Sequence, residues 1–378
     1  MNKHNFDEQA IKRHFELKGK IKVEPKDVLN EQDLSIYYTP GVGAVSKLLS
    51  ENPQKSKDYT TRSGMVAVIS DGSAVLGLGN VGPEAALPVM EGKAMLFKAL
   101  AGVDAFPICL DTQDTEEIIK TIKHISPGFA GINLEDIAAP QCFEIEKRLH
   151  EELDIPVIHD DQHATAIAVL AGLINALKVV DKDRKDIRAV IIGAGAAGTG
   201  VAKLLHKWGI GDITMTDSKG IISKGRSDLD QNKQSLLEFT NSSSLSGDLK
   251  TAISGSDVVL GLSQGGLLDT ADIETMNEKA IVFAMANPVP EILPDDAMSG
   301  GAAVVATGRS DYPNQINNVL VFPGMFKGAI SAGATSISDE VKLKAAINLA
   351  GVISNPTAQK IIPSVFDQGV VEAITSAF

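Results

Sequence analysis

Cysteine and positive charge are both scarce in this sequence. Cys109 and Cys142 are the two cysteines in 378 residues, and neither belongs to a Cys-x-x-Cys pair, which excludes a disulfide framework and a zinc ribbon. The 35 basic residues are outnumbered by 48 acidic ones, giving a net charge of −13. Bulk charge therefore argues against a nucleic acid or an anionic membrane as partner. An anionic substrate would need a local source of positive charge, such as a metal ion or a helix N-terminus.

Long hydrophobic runs are also absent. Residues 1–20 are polar and lack the apolar core of a signal peptide. The longest nearly apolar stretch, residues 164–177, contains Thr165 and Asn175 and fits a buried helix better than a membrane span. We therefore expect a soluble cytoplasmic protein with no membrane association.

Short apolar strands alternate with amphipathic helices from about residue 65 onward. This alternation predicts an α/β fold of two domains with parallel sheets and right-handed crossovers. The charged segment 181–186 separates two series of elements. We expect residues 1–160 to form a substrate and metal domain, and residues 161–378 a Rossmann-type dinucleotide-binding domain with a helical tail. The predicted strands include 65–70, 105–110, 129–136 and 212–217, and the predicted helices include 83–100, 114–125, 198–208 and 340–350.

The pattern Gly-x-Gly-x-x-Gly occurs twice, at residues 77–82 and 193–198. Around the second copy a predicted strand precedes, a predicted helix follows, and Asp217 ends the next strand, as in dinucleotide-binding units. There the first glycine permits a tight turn, the second lets the backbone approach a pyrophosphate, and the third lets helix and strand pack closely. The helix N-terminus adds positive potential for the phosphates. The predicted cofactor contacts of this turn are Gly193, Gly195, Ala196, Ala197 and Gly198.

The choice between NAD and NADP depends on the residues around Asp217. An acid at this place favours a hydrogen bond to the ribose 2′-hydroxyl, and hence NAD. Lys219, Lys224 and Arg226 are close in sequence and weaken that preference, so both cofactors stay open. The first glycine copy, at 77–82, has a short preceding strand and prolines at its helix start. It predicts a turn near the substrate.

Two pairs of acids follow two predicted strands: Glu135 with Asp136, and Asp160 with Asp161. Ligands of open α/β sheets bind beyond the carboxyl ends of the strands, so these carboxylates should meet at one edge. Their mutual repulsion would raise their pKa values unless a cation neutralised them. Hard oxygen ligands without paired cysteines indicate Mg²⁺ or Mn²⁺.

Two alternatives remain for this corner. One acid at each corner, Asp136 or Asp161, could be only the N-cap of the following helix, because aspartate is favoured there. His159 and His163 have the i, i+4 spacing that suits zinc, but the His-Glu-x-x-His pattern is absent. Two acids at both corners favour the cation site over the caps. We interpret the histidines as structural residues or as partners behind the cation.

The sequence resembles the malic enzymes, in their short bacterial form, over nearly its whole length. Several independent motifs in one order are more specific than any single motif. The motifs that carry the resemblance are YYTPGVG (37–43), residues 70–112, INLEDIAAPQCFEIE (132–146), IHDDQHATAIAVLAGLINAL (158–177), IIGAGAAGTG (191–200), MANPVPEI (285–292) and INNVLVFPGMFKGA (316–329).

The resemblance implies oxidative decarboxylation of L-malate to pyruvate and CO2 by a homodimer, with NAD or NADP and with Mn²⁺ or Mg²⁺. It also implies decarboxylation of oxaloacetate. Lys93 would be the general base on the malate hydroxyl, and Tyr38 the acid that protonates the enol. The other implied residues are the metal ligands Glu135, Asp136 and Asp161, a catalytic Asp160 near Lys93, and Asn287 and Asn318 in contact with substrate or nicotinamide.

The implied chemistry places demands on two positions. A lysine must be neutral to accept a proton, and burial beside a cation is expected to lower the pKa of Lys93 from about 10.4. Ala74 stands where larger relatives carry an arginine that binds the substrate carboxylate. We therefore predict that backbone amides of the turn 77–82, or a helix terminus, bind that carboxylate.

Three rival functions keep the same fold. An oxaloacetate decarboxylase of the same family would retain Lys93, Tyr38 and the acids, and so would an enzyme that converts malate to lactate, although the chain is short for the latter. A non-catalytic dinucleotide-binding protein would be expected to have lost Lys93 or Asp161, and both are present.

Overall fold

The described part of the chain contains two sheets, and the first is four-stranded and parallel, in the order β2-β1-β3-β4. The structure is a computed structural model that describes residues 3–27, 29–75 and 77–378. The chain leaves β1 for β2 on one side and then returns to β3 on the other, which opens a crevice at the carboxyl ends of β1 and β3. The strands are β1 (Met65–Ser70), β2 (Asp104–Cys109), β3 (Gly131–Leu134) and β4 (Val157–His159).

The second sheet has six strands in the order β10-β9-β8-β5-β6-β7. Its neighbours pair in parallel except β6 and β7, which form an antiparallel hairpin that the sequence analysis does not predict. The order reverses between β5 and β8, where a Rossmann-type sheet binds its dinucleotide. The strands are β5 (Arg188–Ile192), β6 (Asp212–Asp217), β7 (Gly220–Ile221), β8 (Val258–Gly261), β9 (Ala280–Ala284) and β10 (Ala302–Thr307).

Helices cover both sheets, and this confirms the predicted α/β class with parallel sheets. The helices up to the first domain's last strand are α1 (Lys3–Leu17), α2 (Glu31–Tyr37), α3 (Val42–Glu51), α4 (Ser56–Tyr59), α5 (Pro83–Leu96), α6 (Thr115–Ile125) and α7 (Gln141–Glu152). The later helices are α8 (Asp160–Val180), α9 (Ala196–Trp208), α10 (Gln231–Leu236), α11 (Leu249–Ile253), α12 (Thr270–Glu274), α13 (Pro294–Ser299), α14 (Phe322–Ala332), α15 (Asp339–Gly351) and α16 (Val370–Thr375).

Helix α8 is the central helix of the molecule. It begins directly after β4 and packs against α9 and α15. In the described part of the chain it alone has the length and hydropathy of a membrane span, but 72% of that window is buried inside the protein. The side chain of Asn175 donates hydrogen bonds to the carbonyls of Ala350 and Ile361, both at 2.9 Å, which ties α8 to the tail. Residues 164–177 therefore form the buried helix that the sequence predicts.

The observed element boundaries decide where the site residues point. The predicted strand 65–70 coincides with β1, and the predicted strand 212–217 coincides with β6. The predicted helix 83–100 is regular only to Leu96 and continues as a wider turn over Phe97–Ala101. Since β4 ends at His159, the two acids that follow it lie in the first turn of α8.

Candidate active site

Lys93 is the centre of a buried charged cluster at the carboxyl edge of the first sheet. It lies in the last turn of α5 and is 6% exposed. Its Nζ donates to Asp160 Oδ2 at 2.5 Å and also donates to Glu135. The same Nζ lies 4.5 Å from the ring centroid of Phe322, at the start of α14. Four separate elements thus fix one ammonium group.

Three carboxylates beside Lys93 form a group suited to a cation. Oxygen atoms of Glu135, Asp160 and Asp161 lie within 4.8 Å of one another. Asp160 Oδ1 is buried and, within the described residues, has no hydrogen-bond partner. A buried carboxylate oxygen without a donor is costly unless a cation binds it. The hard oxygen donors therefore fit Mg²⁺ or Mn²⁺.

Asp136, predicted as a metal ligand, is not in that group of three. It is buried, has a φ of +52°, and its backbone amide donates to Asp161 Oδ2 at 3.2 Å. Asp160, predicted as a neighbour of Lys93, accepts a hydrogen bond from it. The geometry thus brings together four of the predicted residues, namely Lys93, Glu135, Asp160 and Asp161.

The charges of the cluster shift the pKa values of its members. Burial, together with the neighbouring acids Asp160 and Asp161, raises the pKa of Glu135 well above its usual range, although Lys93 acts in the opposite direction. Burial also favours the neutral form of Lys93, but the carboxylates of Asp160 and Glu135 outweigh it and raise the pKa of Lys93. A lowered pKa of Lys93 was expected because a bound cation would neutralise these carboxylates. Without the cation, the pKa shifts in the opposite direction.

Of the two predicted asparagines, Asn318 reaches the charged cluster, whereas Asn287 contacts the first glycine pattern. Asn318 opens a single helical turn before α14, and its Nδ2 donates to Asp160 Oδ2. Asn287 follows β9 and precedes a cis peptide bond to Pro288. The backbone carbonyl of Asn287 lies against Gly77 of the first domain, where an added Cβ would come within 2.3 Å of it. The first glycine pattern is therefore in contact with the loop that carries Asn287.

The second glycine pattern forms the predicted strand–turn–helix. β5 ends at Ile192, and α9 begins at Ala196 with Ala197 and Gly198 in its first turn. A Cβ on Gly198 would lie 1.9 Å from the carbonyl oxygen of Gly193, so helix and turn are in direct backbone contact. A Cβ on Gly195 would meet nothing within 4 Å. That open space lies at the N-terminus of α9, where a pyrophosphate is stabilised.

Asp217, the predicted ribose ligand, ends β6 and is bound by two basic side chains. Arg226 donates to its two oxygens at 2.7 and 3.0 Å, and Lys233 Nζ donates at 2.8 Å. Partial burial would raise the pKa of Asp217, but these hydrogen bonds outweigh it and lower the pKa to about 2. The carboxylate is thus ionised but already paired, which reduces its repulsion of a 2′-phosphate.

Tyr38 does not lie in the buried cluster of the same chain. It follows α2, precedes the cis peptide bond between Thr39 and Pro40, and is 67% exposed. Its neighbour Tyr37 is 55% exposed and hydrogen-bonds Asp27 at 3.2 Å. In the single chain, the predicted acid thus faces solvent.

Sequence reasoning missed Glu146, which is 6% exposed on α7 and binds the start of α8. A signal for it exists. Cys142, Ile145 and Leu149 are the other buried residues of α7, so Glu146 shares the apolar face of this helix. An acid on such a face must have a partner. The pairing of Lys233 with Asp217 was also missed, since 16 residues separate the two.

Together, the fold and the site combine a Rossmann-type sheet with a buried cluster of carboxylates that fits a divalent cation. Residues 18–150 match the family model of the malic enzyme N-terminal domain, and residues 162–373 match that of the malic enzyme NAD-binding domain. The chain belongs to the malic enzyme family.

Individual relatives agree with this family over almost the whole chain. A bifunctional malic/malolactic enzyme of Bacillus subtilis is 51% identical over 98% of this chain and 91% of its own length. An NAD-dependent malic enzyme of Geobacillus stearothermophilus is 54% identical over 95% of this chain and 76% of its own. The crystal structure of an NAD-dependent malic enzyme from Thermotoga maritima superposes with a TM-score of 0.94 at 47% identity, covering 97% of this chain and 98% of that one.

Proposed function

We propose that this protein oxidatively decarboxylates L-malate to pyruvate and CO2, with NAD(P)⁺ and a divalent cation. The observation that carries the proposal is the placement of Lys93. Lys93 is buried between Glu135 and Asp160, beside a third carboxylate from Asp161. Burying these charges costs desolvation free energy, which is unfavourable for stability alone. A lysine in this place is suited to accept a proton next to a cation.

Lys93 takes the proton of the malate hydroxyl, and Tyr38 later donates a proton to the enol carbon. Glu135 and Asp161 would hold the cation, with Asp136 as a further proposed ligand. Asp160, which accepts hydrogen bonds from Lys93 and Asn318, keeps the lysine in place. When bound, the cation would supply Lewis acidity at the C2 oxygen, and the nicotinamide of NAD(P)⁺ would supply the hydride acceptor for C2.

The substrate carboxylates need donors other than an arginine at position 74. We propose the backbone amides of the turn 77–82, because Gly77 adjoins the Asn287 loop, which would contact substrate and nicotinamide. Asn318, which donates to Asp160, would also contact the substrate. A Gly82→Val variant should raise the KM for malate, and an unchanged KM would argue against the turn as donor.

The first experiment follows NADH and NADPH formation from L-malate and Mn²⁺, with oxaloacetate loss measured separately without nucleotide. We expect reduced cofactor to form and EDTA to abolish its formation. Lys93→Ala should lower malate oxidation by roughly 10²- to 10⁴-fold and leave NADH binding intact. Asp161→Ala should raise the Mn²⁺ concentration required, and an unchanged requirement would exclude it as ligand. Oxaloacetate loss without redox turnover would favour the decarboxylase alternative.

A second candidate activity is the redox-neutral conversion of malate to lactate and CO2. The observation that favours it is the name of the Bacillus subtilis relative, a bifunctional malic/malolactic enzyme at 51% identity. Such an activity would consume malate and yield lactate without net formation of NADH. Lactate and pyruvate should therefore be quantified in the same reaction.

We further propose a homodimer in which a second copy covers the N-terminal segment, residues 6–59. Helices α2 and α3 contain no buried residue. Apolar side chains exposed in a contiguous region indicate an interface. Large apolar side chains of this segment that are more than half exposed include Phe6, Ile11, Phe15, Leu17, Val23, Leu29, Leu34 and Ile36.

In this dimer, Tyr38 of one copy would complete the site of the other. Two inactive variants, Tyr38→Phe and Lys93→Ala, should then recover activity when they are unfolded and refolded together, since mixed dimers contain one intact site. Recovery that never exceeds that of the separate variants would place Tyr38 in its own subunit's site. Light scattering after gel filtration measures the mass.

We also propose a cytoplasmic location and a division into two domains, residues 1–160 and residues 161–378. The family matches to 18–150 and 162–373 support the division, with the border at the first turn of α8. The burial of α8 supports a protein that stays outside the membrane.

A further inference from the structure

Behind the cation site, the carboxylate of Glu146 connects α7 to the corner between β4 and α8. Glu146 Oε1 accepts the backbone amide of His159 at 2.6 Å, and Oε2 accepts Gln162 Nε2 at 3.1 Å. His163 Nε2 lies 2.9 and 3.0 Å from the two oxygens. Three groups from the pentapeptide 159–163 thus converge on one carboxylate from another helix.

This corner needs an external support because its own sequence lacks a cap. His159 is the N-cap residue of α8, and its side chain makes no capping hydrogen bond. In a capping box, an acid three residues into the helix accepts the amide of the N-cap residue. Here Glu146 accepts that amide from the neighbouring helix. The first turn it supports holds Asp160 and Asp161.

We propose that Glu146 is a positioning residue for the cation site: by fixing residues 159–163, it holds the carboxylates of Asp160 and Asp161 in the geometry that binds the cation. This inference rests on the proposed function of that site. It explains the sequence HDDQH as a whole. The two acids face the cation, while the backbone of His159 and the side chains of Gln162 and His163 bind the supporting carboxylate.

The charge of Glu146 persists at neutral pH. Burial alone would raise the pKa of Glu146, but the charge and hydrogen bond of His163 outweigh it and lower the pKa to about 2. On the opposite side of the corner, His159 Nε2 lies 3.2 Å from the carbonyl of Ile137. The pentapeptide is thus held from α7 and from the loop after β3. Residues that orient metal ligands in this way typically contribute about 10- to 100-fold to metal affinity.

The test is Glu146→Gln, which keeps the size of the side chain but places an NH2 group where one acceptor oxygen was. Free Mn²⁺ is measured by electron paramagnetic resonance during titration of the metal-free protein, so no turnover is needed. We expect the Kd for Mn²⁺ to rise at least about tenfold, with the Kd for NADH within about twofold of the wild type. Glu144→Gln, an exposed position on the same helix, is the matched control and should match the wild type.

Wild-type Mn²⁺ affinity in a folded Glu146→Gln protein would overturn the proposal, even if the variant unfolds at a lower temperature. If that variant does not fold, Gln162→Leu removes one of the three contacts and should weaken Mn²⁺ binding roughly threefold. Unchanged binding there would overturn the proposal equally. Failure of the proposed function looks different: the wild type would bind Mn²⁺ and still not oxidise malate.

Discussion

The two Gly-x-Gly-x-x-Gly segments have the same spacing and form different structures. At 193–198, β5 ends one residue before the pattern, and α9 begins inside it. At 77–82, β1 has already ended at Ser70, and α5 begins only after the last glycine. One segment is a compact strand–turn–helix, and the other is part of a long connection. The spacing alone therefore does not define a dinucleotide site, whereas its position between strand and helix does.

The glycines of the two segments are also required for different reasons. Gly193 and Gly198 approach each other, so the dinucleotide turn depends on its own packing. Gly77, with a φ of +75°, instead contacts the carbonyl of Asn287 in the other domain. Gly79 has a φ of +79°, and a Cβ there would meet nothing within 4 Å. The first segment thus needs glycine for a domain contact and for turn conformation.

The largest effect is expected from Gly198→Ala. A Cβ there would lie 1.9 Å from the carbonyl oxygen of Gly193, so the backbone of the turn or of the helix must shift. We expect a loss of about 1–3 kcal/mol in the free energy of unfolding and at least a tenfold weaker NADH affinity, about 1.4 kcal/mol. Urea unfolding and NADH fluorescence titration measure these. Gly195→Ala is the control: its Cβ is free of protein contacts, so only NADH affinity should fall. Equal stability losses in both variants would contradict this explanation.

The charge beside the second turn is the next feature to test. Asp217→Ser leaves Arg226 and Lys233 without the carboxylate that they bind, and so creates a site for a 2′-phosphate. The ratio of kcat/KM for NADP⁺ to that for NAD⁺ should rise about tenfold, or about 1.4 kcal/mol. Asp228→Ser, which removes an exposed partner of Arg226, is the control and should change the ratio much less. A ratio that stays constant in Asp217→Ser would show that these residues do not contact the ribose.

Much of this organisation was predictable, because periodicity and strand-end chemistry are local properties. The strands β1 and β6, the turn at Gly193 and the acids that follow β3 and β4 were all located from the sequence. The contact of Lys93 with Asp160 was also predicted, but other contacts between distant segments were not. The pairing of Glu146 with residues 159–163 and the approach of Gly77 to Asn287 depend on how helices and domains pack. The lowered pKa predicted for Lys93 applies to a site that holds a cation, and in the metal-free cluster the two carboxylates raise this pKa instead.

A smaller effect is expected where the first segment contacts the second domain. Gly77→Ala brings a Cβ within 2.3 Å of the Asn287 carbonyl and should displace the loop that carries that side chain. We expect kcat/KM for malate to fall about fivefold, close to 1 kcal/mol, with NADH affinity nearly unchanged. Steady-state kinetics and NADH titration separate the two. A loss of NADH affinity as large as that of Gly198→Ala would mean that the first segment also binds the dinucleotide.

The smallest effect is expected from Gly79→Ala, which changes the conformational preference of the turn without adding a steric contact. A left-handed residue costs about 1 kcal/mol more with alanine than with glycine, and no neighbouring atom adds to this at Gly79. The free energy of unfolding should therefore fall by that amount, while kcat and both KM values keep their wild-type values. Alanine keeps the amide of this position, so a marked rise in the KM for malate would instead show that the conformation at Gly79 sets the positions of the amides proposed to bind the substrate carboxylate. Both glycine segments would then depend on turn conformation to bind an anion, and they would differ in ligand and not in role.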